Sequence, residues 1–268
     1  SFQIENEVVT GETKRDLSYA FGAPYQDNRY ISGMIPTGRK DYKVKVSMHD
    51  PKVFLENDII KQLESNGVKI QVNYDEQNDD IQLIDTLLIH LSPSISELIM
   101  HTNFESNNLF AEHLLMKSAC QSDQNIGFDK ASGIMQGYWE SFLGLTDAIR
   151  FSDGCGLSRK NLISPYSMNQ LLFHMFNHSS GEIQQSFLNS LPEAGISGTL
   201  KYIGKGTSIE GKFKGKSGSM SGIRCYAGYL IKDDIFYPVS IMLNNFTCSD
   251  YLARKAIEKL LVGIYGEL

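Results

Sequence analysis

Two periods organise the apolar positions of this chain, a helical one through its middle and a strict alternation near its end. Asp50 and Pro51 open a helix whose face is Val53, Phe54, Ile60 and Leu63. Asn66-Gly67 closes it. Ser94 with Glu97 predicts a capping box ahead of Ile95, Leu98 and Ile99. From Leu109 to Met116 apolar residues fall on all sides, so a buried helix is expected there. Further helices are expected near Lys130–Leu143, Pro165–Asn177 (Ser164 as cap) and Glu182–Leu191. After Gly198 the period becomes two. Ile223, Cys225, Ala227, Tyr229 and Ile231 alternate, Lys232-Asp233-Asp234 turns, and Ile235 to Leu243 alternates back. Ser249 caps a last helix with Leu252, Ala256, Leu260 and Ile264 on one face.

The N-terminal stretch is different in kind. Residues 1 to about 45 carry turn signals, Gly22-Ala23-Pro24 and Ile35-Pro36-Thr37-Gly38, beside the short alternation Tyr42, Val44, Val46. Val68, Ile70, Val72 and Tyr74 alternate as another strand would, and an acidic loop follows at 75–80. Helices in the middle with strands and a helix at the end make an α+β reading, and no internal repeat is visible.

Composition narrows the class. The 268 residues are 41% hydrophobic and 21% charged, which is ordinary for a folded protein with a sizeable core. A net charge of −6 argues against nucleic acid as a partner, because phosphate binding needs clustered cations. No apolar run approaches the ~18 residues of a transmembrane helix. The polar, acidic start resembles no signal peptide, and without an initiating methionine the numbering is expected to begin inside a longer product. Cys120, Cys155, Cys225 and Cys248 lack metal-type spacing. They read as buried free thiols, with one disulfide as the alternative in an oxidising compartment.

Two tripeptides carry the candidate chemistry. In Ser106-Asn107-Asn108, a hydroxyl and an amide two residues apart can relay a proton and bind a substrate amide; helix capping is the competing use. In Lys216-Ser217-Gly218, the lysine offers a charge for a carboxylate, the serine a second donor, and the glycine a close approach for a substrate backbone. Ser219 adds a backbone N–H suited to a developing oxyanion. Gly215-Lys216-Ser217 also echoes the end of a phosphate loop, but the first glycine of that motif would fall on Glu210. His174 and His178 share a helical spacing without a third metal ligand, and no G-x-S-x-G elbow occurs. No metal or cofactor is implied.

The two tripeptides match two of the three elements of penicillin-recognising serine enzymes. The third, a Ser-x-x-Lys nucleophile block, is absent: no lysine has a serine three residues before it. Longer blocks extend the match. The stretch from Ser106 through Leu109-Phe110-Ala111-Glu112-His113-Leu114-Leu115 resembles the D-alanyl-D-alanine carboxypeptidase/endopeptidase family, the class C low-molecular-mass penicillin-binding proteins. So does Asp153-Gly154-Cys155-Gly156-Leu157-Ser158-Arg159, where Cys155 replaces a serine. Gly198-Thr199-Leu200 and Gly215 to Tyr229 resemble the third block, with Ser217 in place of threonine.

The resemblance implies a penicillin-binding-protein/β-lactamase-like fold, incomplete on its N-terminal side. Residues 1–45 would be the tail of an inserted β-rich domain and 46–268 the C-terminal part of the peptidase domain. It implies a serine peptidase that cleaves peptidoglycan stem peptides through an acyl-enzyme and recognises β-lactams. Ser106 would assist proton transfer, Asn108 would hold the substrate amide, and Lys216 with Ser217 would receive the terminal carboxylate. Gly218 and Ser219 would line the strand beside the substrate. One substrate span must touch both motifs, so the tips of Ser106 and Lys216 are expected within about 6 Å. The implied substrate places the protein outside the cytoplasm. The segment carrying the nucleophile is a further expected partner, and a homo-oligomer stays open. Two other readings stand beside this one, a non-catalytic wall-binding homologue and a β-lactamase-like hydrolase.

Overall fold

The computed structural model describes every residue except 1–2, 15, 24–25, 27, 45, 49, 71–85, 87, 121–125 and 145–148. Two compact units divide the chain at Leu87/Leu88, against an expected boundary near residue 45. In the first, β1 (Gln3–Gly11) runs parallel to the central β3 (Asn28–Pro36), and β2 (Leu17–Phe21) pairs antiparallel on its other side. Arg29, Ile31 and Pro36 are the buried residues of β3. The Arg29 guanidinium donates to the carbonyls of Ala23, Gln26 and Asn28. Helix α1 (Pro51–Ser65) starts where its signals predicted: the Asp50 carboxylate accepts from the N–H groups of Lys52 and Val53, and Asn66 ends it.

Two local readings come out differently. Tyr42, Val44 and Val46 form no strand, nor do Val68 and Ile70, because an alternating pattern needs a partner strand to become sheet. Val72, Tyr74 and the acidic run 75–80 lie outside the described residues.

The second unit is built on an antiparallel meander, β6 (Phe213–Met220), β7 (Ile223–Lys232) and β8 (Ile235–Asn244), with β7 central. Alternation along β7 serves two cores. Tyr226 and Leu230 pack with Phe213, Leu200 and Ile209 against α7 (Asp250–Glu267), whose Ile257 and Leu261 complete that cluster. Tyr229 points the other way, to Leu172 of α5 (Pro165–Asn177) and Leu188 of α6 (Gly181–Ser190), and its hydroxyl donates to the Leu172 carbonyl at 2.7 Å. Gly215 and Gly228 face each other across β6 and β7. A Cβ on Gly228 would sit 2.0 Å from the Lys214 carbonyl oxygen, so glycine alone permits this approach.

Around the sheet lie α2 (Ile95–Glu105), α3 (Asn108–Ala119), α4 (Phe128–Leu143) and the short pair β4 (Ile149–Arg150) and β5 (Leu162–Ile163). Helix α3 is not buried all round. Leu115 and Ala119 are buried against Ala131 of α4, while Leu109 is 62% exposed, because α3 packs chiefly through one side. The final helix also buries a different stripe from the expected one. Ala253, Ile257 and Leu261 face the sheet, and Leu252 and Leu260 are at least half exposed. A helix with apolar residues on two adjoining stripes leaves the choice to its docking angle.

Candidate active site

The turn between α2 and α3 places the first motif. Ser94 and Glu97 close a capping box at the start of α2. The helix ends on Ser106, whose backbone is left-handed at φ 53° and ψ 51°. An L-residue held there costs about 1–2 kcal/mol, so the surrounding turn must enforce it. Part of that enforcement is Asn107, whose side chain accepts from the Phe110 N–H at 3.1 Å and caps α3. Capping, the competing use for this tripeptide, therefore belongs to its middle residue. Ser106 and Asn108 keep exposed side chains.

The second motif lies on β6. Its outer edge is covered at the start by residues 192–194: Ala194 N–H donates to the Phe213 carbonyl, and Gly215 N–H to that of Pro192. From Lys216 onward, only β7 pairs with β6 among the described residues, with Ser217 opposite Tyr226, Gly218 opposite Cys225 and Ser219 opposite Arg224. An edge with unpaired N–H and C=O groups accepts an extended peptide by strand addition. Open space also surrounds the position where a Gly218 Cβ would stand.

Both motifs meet at one atom pair. Lys216 Nζ donates to Ser106 Oγ at 3.0 Å and to the Ser217 carbonyl at 2.6 Å. Lys216 is half-buried, and burial draws its ammonium below the ordinary lysine range. A lysine so placed can polarise the serine hydroxyl and still present charge to an incoming carboxylate.

A third block joins them from behind. Glu112 of α3 accepts from the N–H groups of Gly154 and Cys155 at 3.0 and 3.2 Å. Asp153 accepts from Gly156 N–H, Ser158 N–H and the Asn161 amide, and Asn161 in turn accepts from Ser152 N–H. Gly154 rides on α3 so closely that a Cβ would lie 2.5 Å from the Ala111 carbonyl. At the far end of the block Arg159 donates to the Ser221 carbonyl at 3.3 Å, beside the β6–β7 turn. The helix that follows Ser106 and the hairpin that carries Lys216 are thus tied through one loop.

The D-Ala-D-Ala carboxypeptidase 3 (S13) family matches residues 2–267. The chain belongs to that family. It is 29% identical over 239 residues to a D-alanyl-D-alanine carboxypeptidase of Actinomadura sp. strain R39, a match covering 85% of this chain and 43% of that protein. Against a penicillin-sensitive carboxypeptidase A of Dictyostelium discoideum it is 27% identical over 247 residues, covering 85% and 45%. The chain spans less than half the length of these relatives. Penicillin-binding protein 4 of Haemophilus influenzae, solved with a β-lactam, superposes with a TM-score of 0.76 at 18% identity, covering 99% of this chain and 63% of that one. The chain therefore has the penicillin-binding-protein fold, α+β in class.

Glu112 stands inside the block that carried the resemblance, yet nothing in the sequence marks its role. Its function is visible only once α3 lies against the 153–159 loop. Glu112, Asp153 and Cys155 bring ligand-type atoms within 4.8 Å of one another. The two carboxylates already accept from five N–H groups, and burial and the Glu112 hydrogen bond push the Cys155 thiol up to about 11. That chemistry locks a loop and does not suit metal coordination. His174 and His178 stack at 5.1 Å, His174 lies 4.1 Å from Phe142, and among the described residues no third ligand joins them. Among the described residues no helix is long and apolar enough to cross a membrane.

Proposed function

We propose that this chain supplies the substrate-binding and proton-relay half of a serine-type D-Ala-D-Ala carboxypeptidase or endopeptidase. The observation that carries the reading is the 3.0 Å contact between Lys216 Nζ and Ser106 Oγ, which assembles both motifs at an open strand edge. A stem peptide adds along β6 beyond Lys216, with its terminal carboxylate at Lys216 and Ser217 and its backbone beside Gly218 and Ser219. Asn108 holds the amide ahead of the scissile bond. Ser106, polarised by Lys216, passes the proton between nucleophile and leaving amine.

The nucleophile in this reading is a Ser-x-x-Lys serine outside these 268 residues. The first unit then belongs to a domain inserted between that serine and Ser106. The substrate places the protein outside the cytoplasm, and β-lactams, which mimic the same peptide, acylate the assembled enzyme.

Mass spectrometry after incubation with benzylpenicillin tests this. The chain alone should show no stoichiometric adduct, because acylation needs a serine with an adjacent base and the N–H oxyanion donor of that serine, worth ~10²–10³ in rate. Adding the segment that bears Ser-x-x-Lys should restore labelling, and on that segment. Stoichiometric labelling of this chain at Ser106 would overturn the assignment of roles.

A further inference from the structure

A polar cavity of about 430 Å³ opens between the first turns of α4, β4 and the residues around Lys160. None of the residues placed at the Ser106–Lys216 site lines it. At its wall, Ser132 of α4 is 2% exposed, and its Oγ has no hydrogen-bond partner among the described residues. Buried hydroxyls are satisfied in native proteins, so an unpaired one in a residue beside a cavity calls for a ligand atom or water as its partner.

The charges around it are uncommitted as well. Asp129, Arg150 and Lys160 all line the cavity, all are exposed, and among the described residues none is in an ion pair. The cavity wall therefore offers two cations and one carboxylate, with the Ser132 and Ser152 hydroxyls and the Gln136 amide as neutral hydrogen-bonding groups. A simple oxyanion would answer the cations and be repelled by Asp129, and an amine would do the reverse. A small molecule with both charges answers all three.

We propose that this cavity binds a free α-amino acid as its zwitterion. The carboxylate is taken by Arg150 and Lys160, the ammonium by Asp129, and the Ser132 hydroxyl completes its hydrogen bond on the ligand. Arginine suits the first role because its planar fork matches a carboxylate. The volume accommodates one amino acid with accompanying water.

The experiment titrates the full chain with D-alanine and L-alanine, following backbone amide shifts by NMR, with sodium chloride at equal ionic strength as reference. Acetate, methylammonium and inorganic phosphate serve as single-charge probes. Saturable shifts centred on Ser132, Arg150 and Ser152 are expected for an alanine, with each single-charge probe at least about tenfold weaker. Arg150→Gln and Asp129→Asn should each weaken alanine binding about tenfold or more. Ser132→Ala should weaken it severalfold while melting no lower than the parent, since it removes an unsatisfied group. The proposal is overturned if neither alanine gives a saturable response, if acetate or phosphate binds as tightly, or if both charge variants bind like the parent. The readout involves no acylation, so its outcome is separate from that of the peptidase reading.

Discussion

Lys216 Nζ lies 3.0 Å from Ser106 Oγ, although the two residues are 110 positions apart in the chain. The contact joins the left-handed end of one helix to the half of β6 that pairs, among the described residues, with β7 alone. It puts a hydroxyl and an ammonium side by side, the two groups that the proposed function assigns to proton relay and carboxylate binding. Removing either partner should therefore harm chemistry more than folding. In the enzyme assembled with its nucleophile segment, Ser106→Ala should lower the rate of benzylpenicillin acylation about 10²–10⁴-fold, with circular dichroism and melting temperature unchanged. An acylation rate within threefold of the parent would remove Ser106 from the relay.

Burial lowers the pKa of Lys216 below the ordinary lysine value of 10.5. The unfolded chain therefore holds this proton in a window where the folded chain has released it. Through that window, from the folded pKa up to 10.5, stability should rise with pH, and the benefit is lost as pH falls through the folded pKa. In the proposed function substrate binding runs the opposite way, because there the carboxylate needs the ammonium. The pH profile of 1/KM for a D-Ala-D-Ala peptide should fall on its alkaline side before an ordinary lysine titrates. Lys216→Arg should move that limb upward.

Glu258 of α7 is 8% exposed and accepts from the Gly204 N–H at 2.9 Å and from Lys255 at 2.5 Å. Burial pushes its carboxyl up, yet the hydrogen bonds from Lys255 and Gly204 prevail and hold it below the usual glutamate range. With the folded pKa depressed, its contribution is full above about pH 4.5 and is lost as pH drops through the folded value. Glu258→Gln should cost about 1–2 kcal/mol in urea unfolding at pH 7. The gap between variant and parent should close on acidification below pH 4.5, and a gap that stays constant with pH would refute the assignment.

Asn107 holds the turn that presents its neighbours. Asn107→Ala removes the cap on Phe110 N–H and should cost about 1 kcal/mol of stability, whereas Asn107→Asp, an equally good cap, should cost little. The alanine variant should also slow acylation, since the turn fixes Ser106 in its left-handed conformation. Equal stabilities for the alanine and aspartate variants would show that the turn is held by other contacts.

The sequence by itself determined the parts whose causes are local. Asp50, Ser94, Ser164 and Ser249 cap helices at the predicted positions, because a side-chain oxygen and an N–H two or three residues away need no distant partner. The hairpin of β7 and β8 followed from alternation around Lys232-Asp233-Asp234, and the family blocks were legible as runs of residues. Tertiary structure decided what depends on distant neighbours. It chose the stripe of α7 that meets the sheet, and it denied Tyr42, Val44 and Val46 a strand for want of a partner. It also gave Glu112 its loop to hold, made Asn107 the cap, and drew Ser106 to Lys216. Those outcomes depend on how helices pack and strands pair across a hundred residues, and side-chain chemistry read in sequence order carries no record of that.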